Sequence, residues 1–336
     1  MTDGHIPNPI SSPSGNVNDL DLSVTICGVR LRNPTVLASG ILGLSSELFE
    51  RLAQSGLGAI TTKSVSLQPR AGYKNPVIVD YGPGLINAVG LSNPGVEVMV
   101  NEIRQARERL APLGVPVIAS IFANTIYDFG TLARYISEAE PDLIEANISC
   151  PNIDARYEQM FAASPYVSAQ VTRRIKANTD IPLIVKLSPN VDKIVEVAEA
   201  VVEAGADAIS AINSLGPGML IDIETAWPVL ANRIGGVSGP AIRPIAVRCV
   251  YDICRAVDVP VIGIGGVSGG RDMIEMLLVG ATAVGIGSAV NYHGMAVFEQ
   301  AINELKAYMR RHDYRSLDDF CGKALPGAGN GLSSTA

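Results

Sequence analysis

The stretch Asn147-Ile148-Ser149-Cys150-Pro151-Asn152 packs two carboxamides, a hydroxyl, a thiol and a helix-breaking proline into six residues. Carboxamides offer donors and acceptors without charge, which suits a planar, hydrogen-bonding ligand. A cysteine in a polar loop just past a strand end forms thiolate more readily than one inside a core. The same residues would also suit a structural cysteine in a turn, so the decision rests on the rest of the chain. Lys63, in Thr62-Lys63-Ser64, and Lys186, in Val185-Lys186-Leu187, each interrupt an apolar run. Such a lysine is costly to bury without an anion or a hydrogen-bonding partner, and two near one end point to a ligand with negative or electron-rich groups. Gly265-Gly266 and Gly287-Ser288 allow close backbone approach, and their N–H groups can cradle a phosphate. Either pair alone is ordinary turn chemistry; together they suggest a phosphate-bearing cofactor. No Gly-x-Gly-x-x-Gly follows the first strand, so a Rossmann-type dinucleotide site is not indicated.

These residues need elements that bring them to one place. Gly56-Leu57-Gly58-Ala59-Ile60, Gly205-Ala206-Asp207-Ala208-Ile209 and Gly280-Ala281-Thr282-Ala283-Val284 share the pattern Gly-x-x-Ala-(Ile/Val). Val115-Pro116-Val117-Ile118, Ile181-Pro182-Leu183-Ile184 and Val259-Pro260-Val261-Ile262 fall between them. The glycine stops a helix, and the proline opens a strand where its missing N–H costs nothing. With two further apolar runs, strands are expected at about 35–41, 59–65, 115–122, 143–149, 183–188, 208–213, 260–265 and 283–288. Helical stretches such as Gly95–Leu110, Val191–Ala204, Ala241–Val257 and Met295–Arg311 separate them. Near-continuous apolar strands alternating with helices predict a parallel sheet buried on both faces, and this many units favour a (β/α)8 barrel. A hairpin at Leu22–Leu31 should cap the barrel bottom. Long connections at 66–94, after strand two, and 215–240, after strand six, read as functional loops. Barrel sites lie at the C-terminal strand ends, where all the polar residues above fall.

Composition narrows the function. Of 336 residues, 47% are hydrophobic and 18% charged, so a large core is available. The net charge of −7 and the lack of a long basic run argue against a nucleic-acid partner. Five cysteines with no C-x-x-C pair argue against a zinc or iron–sulfur site in this chain and against a disulfide framework. The uncharged run Met276–Phe298 is long enough to span a bilayer, but Gly280, Gly285, Gly287, Asn291, His293 and Gly294 divide it into soluble pieces. With no signal peptide in view, a cytoplasmic protein without membrane contact is expected. The expected organisation is a loose tail over 1–21, a barrel domain over 22–321 and a second tail over 322–336.

The chain resembles dihydroorotate dehydrogenase, in its soluble class with a cysteine base, from about residue 22 to residue 320. The resemblance rests on Ala38-Ser39-Gly40, Thr62-Lys63-Ser64, Pro69-Arg70, Asn87–Gly95, Asn147–Asn152, Val185–Asn190, Asn213-Ser214, Gly235–Ile242, Gly265-Gly266 and Gly287-Ser288. It implies a flavin mononucleotide (FMN) on the barrel top with orotate stacked on its ring. Carried over by position, Ala38, Ser39, Gly40, Lys63, Ser64, Asn147, Lys186 and Ile212 would lie along the flavin. Gly239, Gly265, Gly266, Gly287 and Ser288 would take its ring and phosphate. Asn87, Val89, Gly90, Leu91, Asn152, Asn213 and Ser214 would hold the pyrimidine, with Lys63 and Asn147 reaching it too. Cys150 would be the base that takes a ring proton while hydride passes to flavin N5. Where the family has a flavin-facing asparagine at the end of strand three, this chain has Ser120; either Ser120 or Asn124 is expected to serve there. The segment 153–164 also departs from the family, and its Tyr157, Met160 and Phe161 read equally as a lid or a surface loop.

Two other readings compete. A dihydropyrimidine dehydrogenase-like subunit would share the cysteine motif, but Asn152 and the absence of iron–sulfur cysteine clusters disfavour it. A non-catalytic flavin-binding barrel would be expected to lose Cys150 or Lys63. Electrons from the flavin could pass to fumarate in the orotate site, or to NAD through a separate FAD and iron–sulfur subunit. Residues 63–70, 87–95 and Leu230-Ala231-Asn232 ahead of Gly235–Ile242 resemble the partner-dependent subclass, with a homodimer of catalytic chains expected.

Overall fold

The computed structural model describes residues 20–148 and 161–326. Eight parallel strands, Thr35–Leu37, Ala59–Thr61, Val117–Ile121, Leu143–Asn147, Leu183–Leu187, Ala208–Ala211, Val261–Ile264 and Ala283–Ile286, close in chain order into a barrel. The eighth pairs with the first, Val284 to Ile286 lying against Thr35 to Leu37. This is the expected (β/α)8 architecture. The glycines of the repeated pattern have the conformation that role needs: Gly56, Gly205 and Gly280 end their helices at φ +90°, +100° and +104°, where a side chain would be strained.

The first two strands are shorter than the apolar runs predict, ending at Leu37 and Thr61. Beyond these points the chain leaves the ladder, and Ala38–Gly40 and Thr62–Ser64 become wall rather than sheet. Helices pack outside, among them Val96–Leu110, Ile126–Ser137, Ile194–Glu203, Arg243–Cys254 and Ala296–Arg311. Side-chain caps fix several helix starts: Ser45 accepts from Leu48 N, Thr125 from Asp128 N and Ser164 from Val167 N.

At the bottom, Val24–Ile26 pairs antiparallel with Val29–Leu31. Ile26 and Leu31 close the barrel against Val36, Ala59, Ile118, Leu143, Ile184, Ala208, Ile262 and Ala283. The expected hairpin cap is present.

At the top, the two long connections form secondary structure of their own. Leu215–Gly218, Gly235–Ser238, Leu85–Asn87 and Ile78–Asp80 build a four-stranded antiparallel sheet in that order, roofing the barrel mouth over a small core of Ile86, Ala88 and Leu230. A second hairpin, Ile221–Asp222 with Trp227–Pro228, projects from the same connection. Both were expected as loops; strands this short, one of them reading Leu-Gly-Pro-Gly, carry no alternation to detect.

No helix among the described residues is long and apolar enough to cross a membrane. The run Met276–Phe298 divides into a helix end at Leu278, the strand Ala283–Ile286 and the helices Ala289–His293 and Ala296–Arg311. Past the last helix, Gly322 and Ala324 donate to Leu277 O and Leu278 O, tying residues 322–326 to the barrel's outer layer.

Candidate active site

A cavity of about 250 Å³ lies between the barrel mouth and the upper sheet. Ala38, Ser39, Gly40, Lys63, Ser64, Asn147, Lys186, Ile212, Asn213 and Ser214 line it from the strand ends. Gly239, Gly265, Gly266, Gly287 and Ser288 line it from the side of strands seven and eight, and Asn87, Val89 and Leu91 from the roof. Ile41, Ile78, Leu85, Ser238, Ile242, Ile264, Val267 and Gly285 also contribute. None of these was named as a site residue, although Ser238 and Ile242 fall within the Gly235–Ile242 motif; for the isoleucines, leucine and valine outside it the only signal is apolar character beside the polar motifs.

Three candidates sit elsewhere. Ser120 is fully buried one layer beneath the cavity, with its Oγ 2.8 Å from Ser64 Oγ. Gly90 lies behind the roof with its backbone against Tyr73, where an added Cβ would come within 2.8 Å of the ring. Asn124 is exposed, just ahead of helix Ile126–Ser137. Phe161 is buried edge-on against Phe129, ring centroids 6.0 Å apart, and belongs to the core. Cys150, Asn152, Tyr157 and Met160 lie outside the described residues.

The polar groups form one connected network. Asn213 Nδ2 donates to Asn147 Oδ1 at 3.4 Å, and Asn147 Nδ2 donates to Ser64 Oγ at 3.3 Å. Ser64 meets Ser120, and Ser120 Oγ donates to Glu145 Oε1 at 3.1 Å. Ser210 Oγ donates to Glu145 Oε2 at 2.9 Å, and Lys186 Nζ lies 4.0 Å from Oε1. Lys186 also donates to Ser39 Oγ at 3.0 Å. Its counter-ion is the protein's own Glu145, so the Lys186 charge by itself does not require an anionic ligand. Lys63 differs: half-buried, it donates to Ser92 Oγ at 3.2 Å and pairs with no carboxylate among the described residues. Burial holds its pKa below the usual lysine value. Its positive charge faces the cavity without a matching anion among the described residues.

The glycines at the far end divide into two kinds. A Cβ on Gly265 would come 2.5 Å from Ala246 Cβ, and one on Gly266 would come 2.7 Å from Arg243 Cβ and 2.8 Å from Gly239 O. Both also have positive φ. Their missing side chains make room for the protein's own helix Arg243–Cys254. At Gly287 an added Cβ would meet only Ala38 Cβ, at an ordinary 3.5 Å, so the space there belongs to the cavity. Arg243 pairs with Asp272 and, at 3.3 Å, with Glu275, so its charge is matched within the protein.

The four described cysteines are poor bases. Burial is the first cause in each case, pushing Cys27 up to about 11, Cys254 and Cys321 up to about 12, and Cys249 upward. None of them lines the cavity.

A family model described as dihydroorotate dehydrogenase matches residues 21–309. A Methanothermobacter thermautotrophicus protein named "Dihydroorotate dehydrogenase B (NAD(+)), catalytic subunit" is 45% identical over 303 residues, 90% of this chain and 98% of its own length. Proteins of the same name from Pyrococcus horikoshii and Geobacter sp. are 42% identical over 304 residues and 41% over 303. Each alignment spans 90% of this chain, with 98% and 97% of those relatives covered.

Proposed function

The chain belongs to the dihydroorotate dehydrogenase family, flavin-dependent oxidoreductases that convert dihydroorotate to orotate in pyrimidine biosynthesis, and on that premise we propose how it does so. FMN is the bound flavin, Cys150 is the base, and the substrate lies under the roof formed by the two long connections. The observation that carries this reading is the convergence of Lys63, Asn87, Asn147, Lys186 and Asn213 on one cavity.

The residues fit such a cofactor. Asn147, Lys186 and Ser39 offer polar contacts along one edge, while Ile212, Ile242, Ile264 and Val267 offer apolar surface for a flat ring. Gly265, Gly266, Gly287 and Ser288 supply backbone at the end where barrels hold phosphate. When bound, the flavin supplies the acceptor for one hydrogen and its electron pair. The protein's own part is to bind, orient and deprotonate. Asn87 is positioned by its Nδ2 donating to Gly236 O at 3.2 Å across the upper sheet. With Asn147 and Asn213 it addresses the imide and carboxylate edges of the pyrimidine, and Lys63 offsets negative charge on the substrate. Closure by the roof keeps water from the reacting carbons.

Anaerobic addition of dihydroorotate to the purified yellow protein tests the whole reading, since the flavin should bleach. A flavoprotein whose reduced form is reoxidised by uracil but never formed from dihydroorotate would favour the dihydropyrimidine alternative. A protein that binds flavin and bleaches with neither would favour a non-catalytic barrel.

The cofactor's location has its own test. Gly287→Val is tolerated by the backbone, for the reasons above, but places two methyl groups in the cavity. It is expected to lower flavin content at least tenfold with little change in melting temperature. Full flavin occupancy in this variant would move the cofactor elsewhere.

The reading also needs protein contacts, with a second copy and with an electron-transfer subunit. The projecting hairpin exposes Ile221, Ile223 and Trp227, the last two at 86% and 67%. Apolar surface on this scale marks a docking site, and permanent homodimer contacts are more apolar than transient ones. The hairpin is therefore assigned to the homodimer. Trp227→Glu is expected to halve the mass measured by light scattering while leaving flavin bound; an unaltered dimer would refute the assignment.

A further inference from the structure

Glu145 is the only buried carboxylate on a barrel strand among the described residues, and the chemistry above makes no use of it. It sits at the inner end of the network, with its side chain 2% exposed and that of Lys186 5% exposed. The strand register places Ser120 beside Glu145, and Lys186 beside both Asn147 and Ser210. These four strands therefore bring one acid, one base and three hydrogen-bonding side chains into two adjacent layers at the base of the cavity, which Asn147 and Lys186 line.

The carboxylate gives the network a direction. A carboxylate only accepts, so the Ser120 and Ser210 hydroxyls must donate to it. Ser120, its proton committed, must accept from the Ser64 hydroxyl 2.8 Å away. Ser64 in turn must accept from Asn147 Nδ2, which turns Asn147 Oδ1 toward Asn213 Nδ2. The Asn147 and Asn213 amides thus take orientation from an anion three and four hydrogen bonds away. The same anion offsets the Lys186 ammonium in a setting with little solvent screening.

We propose that Glu145 is a positioning residue: it fixes the orientation of the Asn147 and Asn213 carboxamides through Ser120 and Ser64, and it sets the charge of the cavity floor by balancing Lys186. This rests on the reading that a flavin occupies the cavity beside Lys186. With Glu145 in place the Lys186 charge is offset. Without it the cavity lining carries a second cation beside Lys63 that no described carboxylate matches, and it favours the flavin form that carries the additional negative charge, the reduced one.

The test is a graded pair of variants in the full-length holoenzyme, Glu145→Gln and Glu145→Asp, read by anaerobic redox titration and by orotate binding to the oxidised flavin. Glu145→Gln keeps the shape and removes the charge. It should shift the two-electron equilibrium at least tenfold toward reduced flavin, an upward move of about 30 mV. Its amide can also donate to Ser120, which releases the network's direction, so orotate should bind about tenfold more weakly, the scale of one well-placed hydrogen bond. Glu145→Asp keeps the charge but retracts it by one methylene, and should move the potential the same way by less. A residue that served only packing would lower stability or flavin content without a signed, graded change in potential. Retained flavin with an unshifted or lowered potential in Glu145→Gln overturns the proposal; should that variant not fold, an unshifted or lowered potential in Glu145→Asp does so. A wild-type protein that holds no flavin, or whose flavin dihydroorotate does not reduce, would instead overturn the reading beneath it.

Discussion

Cys150→Ala is expected to slow anaerobic reduction of the bound flavin by dihydroorotate about a hundredfold or more, the usual scale for a lost general base, while flavin content stays near that of the wild type. The substrate carbon is a weak acid, so its proton leaves only to a base poised near the working pH, and a thiol in a polar loop is suited to that task. The chain has five cysteines, and burial raises the pKa of the four described ones away from the cavity. Cys150 follows the cavity-lining Asn147 by three positions in the sequence. Cys150→Ser should recover measurable rates only at raised pH, because a hydroxyl gives up its proton less readily than a thiol. Single-turnover stopped-flow traces distinguish the outcomes, and an unchanged rate in the alanine variant would remove Cys150 from the mechanism.

The barrel was legible because its signals are local and repeated. The helix-stopping glycines at 56, 205 and 280 and the strand-opening prolines at 116, 182 and 260 mark boundaries by backbone geometry alone. The strand-end polar motifs then fall together because any parallel barrel gathers its C-terminal strand ends on one face. What was not legible depends on partners distant in sequence. Leu85–Asn87 pairs with its neighbour Ile78–Asp80, but it becomes an inner strand of the roof because Gly235–Ser238, about 150 residues later, lies against its other edge. Glu145 passed as one polar residue in an apolar run, since only closure of the barrel brings Ser120, Ser210 and Lys186 around it. Gly265 and Gly266 were read as room for a ligand, yet the atoms that would strike their side chains belong to Ala246 and Arg243. Sequence showed that side chains must be absent there; only the fold shows what occupies the space. Ser120 illustrates the opposite limit. It was expected, by resemblance, to stand where a flavin-facing asparagine would, but its side chain is fully buried and meets Ser64 instead.

The pure chain is expected to oxidise dihydroorotate with an artificial dye as acceptor and to leave NAD unreduced. No dinucleotide fingerprint follows the first strand, and no group of three or more His, Cys, Asp or Glu that could hold a metal ion occurs among the described residues. A two-electron donor to NAD would need a nicotinamide site within reach of the flavin. The relatives from Methanothermobacter thermautotrophicus and Pyrococcus horikoshii carry "NAD(+)" and "catalytic subunit" in their names, which supports a division of labour between chains. Adding an FAD and iron–sulfur subunit should therefore confer NAD reduction, detected as absorbance at the nicotinamide band, from essentially none to a rate comparable with the dye. Fumarate is the discriminating control. As a dianion smaller than orotate it could enter the substrate site and reoxidise the flavin directly, and Lys63, a cation with no described counter-ion, would favour its binding. The partner-dependent reading expects turnover with fumarate to be at least a hundredfold slower than with the dye. Rapid fumarate turnover by the chain alone would overturn the NAD assignment and leave the dihydroorotate half-reaction untouched, because the roles proposed for Cys150 and the carboxamides do not depend on the acceptor that follows.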